Sequence, residues 1–299
     1  MRNGILGAAS AMFLVGTLAG VSGLVDAYPI YGGQAVRYLV AAVILLLITG
    51  VLGLRFVRLT PREILCLGGL TLLGLVLFNV CVVESARASG PALVGTILGT
   101  VPLWLALVGG RPAPRLLIGA SVVVAGATLA TGLGTGNLTG LLWALGALVG
   151  EVSFSVLAIP LLPKLGAMRV SAYSTALAVP MLVVVGLADE GTSMFRPPTT
   201  AEVLGFGYLA IVVTVVAFFL WYNSLPKLGP GLAGLFAGLI PVGAIATGVV
   251  LGLAMPSAYD LLGAGLVIAG ILVGLTAGRS PAKGPLIGRV AARRERTSA

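Results

Sequence analysis

Two ionisable residues stand in otherwise apolar surroundings: Glu151 in the run Leu138–Leu162 and Arg37 in the run Pro29–Leu54. A charge at the middle of a hydrocarbon layer costs about 2.5–3.5 kcal/mol on insertion scales, so each needs a partner, water or neutralisation. On a helix, Glu151 shares its face with Ala144, Ala147, Leu148, Phe154, Ser155 and Ala158. That face is small and partly polar, as expected of one turned toward protein or a cavity. Arg37 shares its face with Gly33, Gln34 and Ala41 and is expected to point inward too. Two chemistries suit Glu151: a carboxylate that carries a proton or holds a cation, or a structural acid that is protonated or ion-paired. Arg37 reads as a structural pairing partner or a substrate contact. Asn79, Trp104, Trp143, Thr214, Trp221, Tyr222 and Asn223 are the other polar or aromatic residues of interest within apolar runs. Trp104 and Trp143 are expected to line an apolar cavity, whereas Trp221 and Tyr222 end a run, where interfacial anchoring is the default. The candidate substrate- or proton-binding set is Glu151, Arg37, Trp104, Trp143, Asn79, Phe154 and Ser155.

The elements that must position these residues follow from composition. Of 299 residues, 58% are hydrophobic and 9% charged, with a mean hydropathy of +1.12. A soluble domain carries about 25% charged residues to wet its surface. This chain must therefore be solvated mostly by lipid. About 20 apolar residues cross the hydrocarbon core as a helix. Such runs fall at Ile5–Val25, Pro29–Leu54, Ile64–Val83, Pro91–Val108 and Leu116–Leu133, then Leu138–Leu162, Val170–Leu187, Leu204–Trp221, Gly231–Leu253 and Leu261–Ala277. The first is long for a signal peptide, lacks a clear cleavage site and leads straight into further runs, so it counts as a span. With the N-terminus inside, the inner segments hold Arg2, Arg55, Arg58, Arg62, Arg111, Arg115, Lys164, Arg169, Lys227 and the basic tail from Arg279 to Arg296. The outer segments hold only Arg87 and Arg196 among basic residues, beside Asp26, Glu84, Asp189, Glu190, Glu202 and Asp260. Ten spans with both termini cytoplasmic satisfy the positive-inside bias. The net charge of +9 lies in loops and tail, where it anchors beside anionic lipid; no nucleic-acid partner is expected.

A repeated pattern divides the chain in two. Gly90-Pro91, Leu93, Gly95, Gly99 and Pro102 recur as Gly229-Pro230, Leu232, Gly234, Gly238 and Pro241, each displaced by 139 residues (229 − 90, 241 − 102). Gly119-Ala120, Val123 and Ala125-Gly126 recur as Gly263-Ala264, Val267 and Ala269-Gly270, displaced by 144 (263 − 119). Gly95, Gly99, Gly234 and Gly238 are packing positions that let a neighbouring backbone approach. Pro102 and Pro241 free the carbonyls of Leu98 and Ala237, which is tolerated only against protein or a wet cavity. Five spans per repeat invert the second half relative to the first, a recurring transporter plan. The expected fold is an all-α integral membrane protein of ten transmembrane helices in two inverted five-helix repeats. The repeats cover residues 4–133 and 137–277, and a basic cytoplasmic tail, expected to be disordered, covers 278–299.

These features resemble the drug/metabolite transporter superfamily, specifically proteins with two EamA-type domains. The resemblance covers about residues 4–277. It rests on the two halves, Arg37-Tyr38 with Ala41-Ala42, the Pro102 and Pro241 helices, and the Gly-Ala-x-x-Val-x-Ala-Gly helices. It implies a permease of the bacterial cytoplasmic (inner) membrane, often an exporter of amino acids, amines or toxic metabolites. The acidic residue that the family often carries after its proline helix is replaced here by Val108-Gly109-Gly110-Arg111 and Leu251-Gly252-Leu253-Ala254.

The expected function is a secondary transporter of a small metabolite, using the proton gradient for export by alternating access. Its partners would be substrate, protons and lipid. No Gly-x-x-x-x-Gly-Lys-Ser/Thr sequence serves ATP. An enzyme is not expected: histidine is absent, Glu151 stands alone, and Cys66 and Cys81 share one run about 22 Å apart on a helix. No metal or cofactor is expected. The alternative is a non-catalytic channel or a scaffold subunit; a scaffold would have no need of Glu151.

Overall fold

A computed structural model of the chain describes residues 1–89, 91–108, 112–132, 136–252 and 255–277. Gly90, the stretch 109–111, the pair 253–254 and the basic tail lie outside the described residues. All regular structure among the described residues is helical. Eight helical runs are long and apolar enough to cross a membrane, and a shorter apolar one accompanies them. In chain order they are α1 (Arg2–Leu24), α2 (Ile30–Val51), α3 (Pro61–Ser89), α4 (Leu93–Val108), α5 (Pro114–Thr131), α6 (Leu138–Val156), α7 (Leu162–Asp189), α8 (Thr200–Val250) and α9 (Ala258–Thr276).

The 51-residue α8 is not one straight rod. Gly229 adopts φ +74°, a left-handed conformation that an L side chain resists, and Pro230 follows without an N–H. The run divides there into arms 200–228 and 230–250. Helix α4 is interrupted similarly: its first segment ends at Leu98, a turn covers Gly99 and Thr100, and Val101 restarts the helix. Pro102 therefore sits in a first turn, where its missing N–H costs little, instead of mid-helix as expected.

Several helix starts are written in local chemistry. Thr60 and Glu63 form a capping box at α3, with Pro61 in the first turn. Thr199 and Glu202 form the same box at α8, 139 residues on (199 − 60). At α2 the capping group comes from elsewhere. The Glu190 carboxylate accepts from the backbone N–H groups of Tyr31 (2.9 Å) and Gly32 (3.1 Å), donors that no intrahelical partner can serve. Ion pairs link the helix ends. Lys164 meets Glu63 at 2.6 Å, Arg87 meets Glu84 at 2.8 Å and Asp189 at 3.5 Å, and Arg196 meets Glu202. The Glu202 carboxylate, hydrogen-bonded to Arg196, holds that guanidinium pKa above its ordinary value.

Packing in lipid relies on close backbone approach. Helices α5 and α9 cross so that a Cβ at Gly126 would stand 2.6 Å from the Gly263 carbonyl oxygen, and one at Gly263 2.6 Å from that of Gly126. Gly119 and Gly270 repeat the arrangement further along: a Cβ on Gly119 would lie 2.7 Å from the Gly270 oxygen, and the reverse distance is also 2.7 Å. Gly234 closes against Leu105 at 2.7 Å and Gly238 against Val123 and Val267, as expected of packing positions. Gly95 and Gly99 are looser, with nearest approaches of 4.0 and 3.1 Å.

Replacing Gly126 with Ile forces α5 and α9 apart, and overpacking of this kind costs about 1–3 kcal/mol. The thermal midpoint in detergent, followed by size-exclusion fluorescence, is expected to fall. Gly248→Ile, where a Cβ meets nothing within 4 Å, should leave it unchanged.

Candidate substrate cavity

A cavity of about 360 Å³ lies between the helices. Met12, Val15, Gly16, Leu18 and Ala19 of α1, Gln34, Arg37 and Tyr38 of α2, and Gly74, Phe78, Asn79, Val82 and Val83 of α3 line one part. Leu98 and Val101 of α4, Glu151 and Phe154 of α6, and Val213, Ala217, Phe218, Trp221, Ala237 and Ile240 of α8 complete it. The wall is mainly apolar and aromatic, with a few convergent polar groups, as small-molecule sites generally are.

The polar groups are tied to the frame in an ordered way. Arg37, only 5% exposed, donates from Nε to Thr214 Oγ1 at 2.8 Å and from Nη1 to Gln34 Oε1 at 3.3 Å. Its guanidinium also stands 5.4 Å from the centre of the Tyr38 ring. Thr214 donates in turn to the Leu209 carbonyl at 3.0 Å, inside a widened π-helical stretch, Leu209–Val216. Helix α3 contains a matching π-helical stretch at Leu72–Leu77. Asn79 donates from Nδ2 to the Leu75 carbonyl there, and also to Tyr38 Oη at 3.4 Å. Adjacent residues of α2, Arg37 and Tyr38, thus reach both widened stretches. Such stretches recur at functional sites because they relax the regular hydrogen-bond ladder.

Glu151 lines the same cavity as Arg37, but the two form no ion pair. Among the described residues, its carboxyl group has no hydrogen-bond partner. Phe154 packs edge-on against Phe218 with ring centres 4.9 Å apart and tilts over Tyr222 at 5.0 Å. Ser155 accepts a hydrogen bond from Trp221 Nε1 at 3.2 Å. Glu151, Arg37, Asn79 and Phe154 are therefore brought together, with Ser155 one step behind the wall. Trp104 and Trp143 are not: they are 49% and 38% exposed on the outside of the helix bundle. Trp221 differs from expectation in the opposite sense. It is 2% exposed and lines the cavity, because the helix continues seven residues beyond it to Leu228 before the break at Gly229. Gln34, Tyr38 and Phe218 were not candidates from sequence. Leu98 and Ala237 both line the cavity, although Pro102 stands in a first turn after the break at Gly99 and Thr100 and so does not open a continuous helix there.

The lining also follows the 139-residue displacement. Met12 and Glu151, Val15 and Phe154, Gly74 and Val213, and Phe78 and Ala217 are related in this way (151 − 12, 217 − 78). So are Asn79 and Phe218, Val82 and Trp221, Leu98 and Ala237, and Val101 and Ile240 (218 − 79, 240 − 101). The residues contributed by α2 have no such partners in the lining. No group of three His, Cys, Asp or Glu among the described residues could hold a metal ion.

An apolar helical bundle around a central cavity with sparse polar groups is the architecture of a membrane transporter. Residues 138–276 match the model of the EamA-like transporter family. The chain is 26% identical over 289 residues to the uncharacterized transporter YetK of Bacillus subtilis (strain 168), covering 91% of this chain and 87% of that protein. It is 28% identical over 273 residues to the uncharacterized inner membrane transporter YedA of Escherichia coli (strain K12), covering 87% and 86% respectively. A solved crystal structure superposes with a TM-score of 0.80 over 92% of this chain and 98% of its own, at 21% identity, and thus shares the fold. Residues 138–276 thus form an EamA-like transporter domain, and the chain as a whole is similar to proteins named as transporters; its class is that of membrane transporters, not enzymes.

Thr214→Val keeps the volume beside Arg37 but removes the acceptor of its Nε hydrogen bond. A hydrogen bond to a charged group is worth about 1.5–3 kcal/mol. The variant is expected to unfold at lower temperature in detergent, whereas Thr276→Val, exposed at the end of α9 where the hydroxyl turns back on the Val273 carbonyl, serves as the reference.

Proposed function

We propose that the protein is a ten-span secondary transporter built as two inverted repeats, residues 4–133 and 137–277. On this reading it moves a small metabolite by alternating access. Counting the two arms of α8 separately and α4 as a span gives ten crossings from the helical runs. The paired capping boxes, the paired π-helical stretches and the eight displaced lining pairs support the repeat. An odd number of crossings per repeat makes the second enter in the opposite sense. Both termini are then cytoplasmic, in the inner membrane.

One observation carries the functional reading: Glu151 lies in the cavity wall and, among the described residues, its carboxyl group has no partner. A structural acid would be paired or hydrogen-bonded, so this group is left for a proton, a cationic substrate or water. Burial of a charge in such a site is expensive unless it is compensated, which makes the carboxyl group the natural place for coupling. Arg37, already bonded to Thr214 and Gln34, acts first as a structural element of the wall. The aromatic and aliphatic remainder suits an amine or amino acid with an apolar body, exported against an inward flow of protons.

Untargeted metabolite profiling of medium and cytosol, with cells expressing wild type or Glu151→Gln, tests this. Compounds enriched outside by wild type are expected to fall, in the variant, to the level of cells lacking the protein. Equal export by a normally inserted Glu151→Gln would remove the carboxylate from the mechanism. No enrichment by either would overturn export.

A further inference from the structure

Gly16, Leu18, Ala19 and Val83 lack 139-displaced counterparts in the lining, but one helix pair breaks the repeat completely. Spans α1, α3 and α4 contribute lining residues whose 139-displaced counterparts also line it, but α2 contributes Gln34, Arg37 and Tyr38 while α7 contributes nothing. Helix α7 nevertheless has the matching face. Gly33, Ala35, Arg37, Tyr38, Ala41, Leu45 and Thr49 are buried on α2. Val170, Ala172, Ser174, Thr175, Ala178, Leu182 and Gly186 are buried on α7, each displaced by 137 (174 − 37, 182 − 45). At that displacement Gln34, Arg37 and Tyr38 correspond to Ser171, Ser174 and Thr175 (171 − 34, 175 − 38). A polar triad with i, i+3, i+4 spacing therefore exists on both helices, on one face of each.

The α7 triad is out of place where it lies. All three residues are fully buried. Ser174 and Thr175 can only turn back on their own helix, donating to the Ser171 carbonyl at 3.2 and 2.8 Å. The Ser171 hydroxyl has no hydrogen-bond partner among the described residues. A buried hydroxyl without a hydrogen bond costs about 1–3 kcal/mol, and a membrane helix offers no water to relieve it. Alanine would fill the same space without that cost.

We infer that Ser171, Ser174 and Thr175 form the α7 wall of the cavity in the opposite-facing conformation, replacing Gln34, Arg37 and Tyr38. This rests on the inverted-repeat reading. When two inverted halves exchange conformations, each element takes the setting its counterpart held, so α7 enters the cavity as α2 withdraws. The hydroxyls then find substrate or water. The exchange also changes what faces Glu151, from a wall that includes a guanidinium to one that carries three neutral hydroxyls. A cationic group on Glu151 is thereby held more tightly in the exchanged state, and a transporter needs such a difference between its two states to load and release.

Cysteine accessibility tests the exchange. In a Cys66→Ala, Cys81→Ala background, Gln34→Cys, Ser171→Cys and Leu182→Cys are treated in right-side-out and inside-out vesicles. The reagent is a membrane-impermeant cationic methanethiosulfonate. Ser171→Cys is expected to react at least about tenfold faster than Leu182→Cys, from the face opposite to that which exposes Gln34→Cys. Ser174→Cys gives a second reading if Ser171→Cys inserts poorly. Reaction of Ser171→Cys and Ser174→Cys no faster than Leu182→Cys, while Gln34→Cys reacts, would overturn this inference and leave the transporter reading standing. Labelling of both triads from the same face would overturn it as well. An unreactive Gln34→Cys on both faces would remove the open cavity, and both readings with it.

Discussion

Lipid offers no hydrogen bonds, and that constraint orders the molecule. Every backbone group within the hydrocarbon layer must be satisfied inside the chain, so the fold is helical where it crosses. Lipid also supplies no strong hydrophobic force between helices, because the chains outside are as apolar as the side chains within. Cohesion then comes from close contact, and the seam between α5 and α9 shows how it is obtained. Gly119, Gly126, Gly263 and Gly270 bring two backbones to a distance that no side chain allows. Neither helix contributes a residue to the cavity. They lie outside it, and α1, α2, α3, α4, α6 and α8 supply its wall.

The same constraint explains why irregular backbone gathers at the cavity. A π-helical stretch or a break after Leu98 loosens the regular ladder, which is tolerable only where protein or water can answer. Thr214 answers the Leu209 carbonyl and Asn79 the Leu75 carbonyl, and each is then held by a residue of α2. Arg37 is thus held by two neutral acceptors, Thr214 and Gln34, and an aromatic ring, with no carboxylate partner among the described residues. That leaves Glu151 on the same cavity wall without an ion-pair partner among the described residues.

Much of the frame was legible in the sequence because periodic apolar runs and displaced Gly and Pro residues report directly on helices in lipid. Glu151 and Arg37 stood out because a charge inside such a run is rare and costly. The aromatic lining was harder to read. Trp104, Trp143 and Trp221 all lie in apolar runs, and only their rotation about the helix axis, set by neighbouring helices, separates lipid-facing from cavity-facing rings. For Trp221 the difference is one of length: the apolar run ends there, but the helix continues to Gly229, where the left-handed backbone makes the break. The capping boxes at Thr60 and Thr199 were readable in principle as Thr-x-x-Glu before an apolar run. Their common displacement strengthens the division that the Gly and Pro residues suggested.

Segments related by a constant displacement need not be matched in chemistry, and on the proposed cycle that difference would set its direction. Met12 occupies the place in the first half that Glu151 holds in the second, so the carboxyl group has no twin. Asn79 stands against Phe218, and Val82 against Trp221, so polarity and aromatic surface are likewise distributed unequally. If both halves carried the same side chains, the two orientations of the cavity would be equal in energy and would bind a ligand equally well. A ligand that binds two states equally shifts neither. On the inverted-repeat proposal, the two halves would supply two conformations of comparable energy, and the unmatched residues in the cavity would make those conformations differ in what they hold.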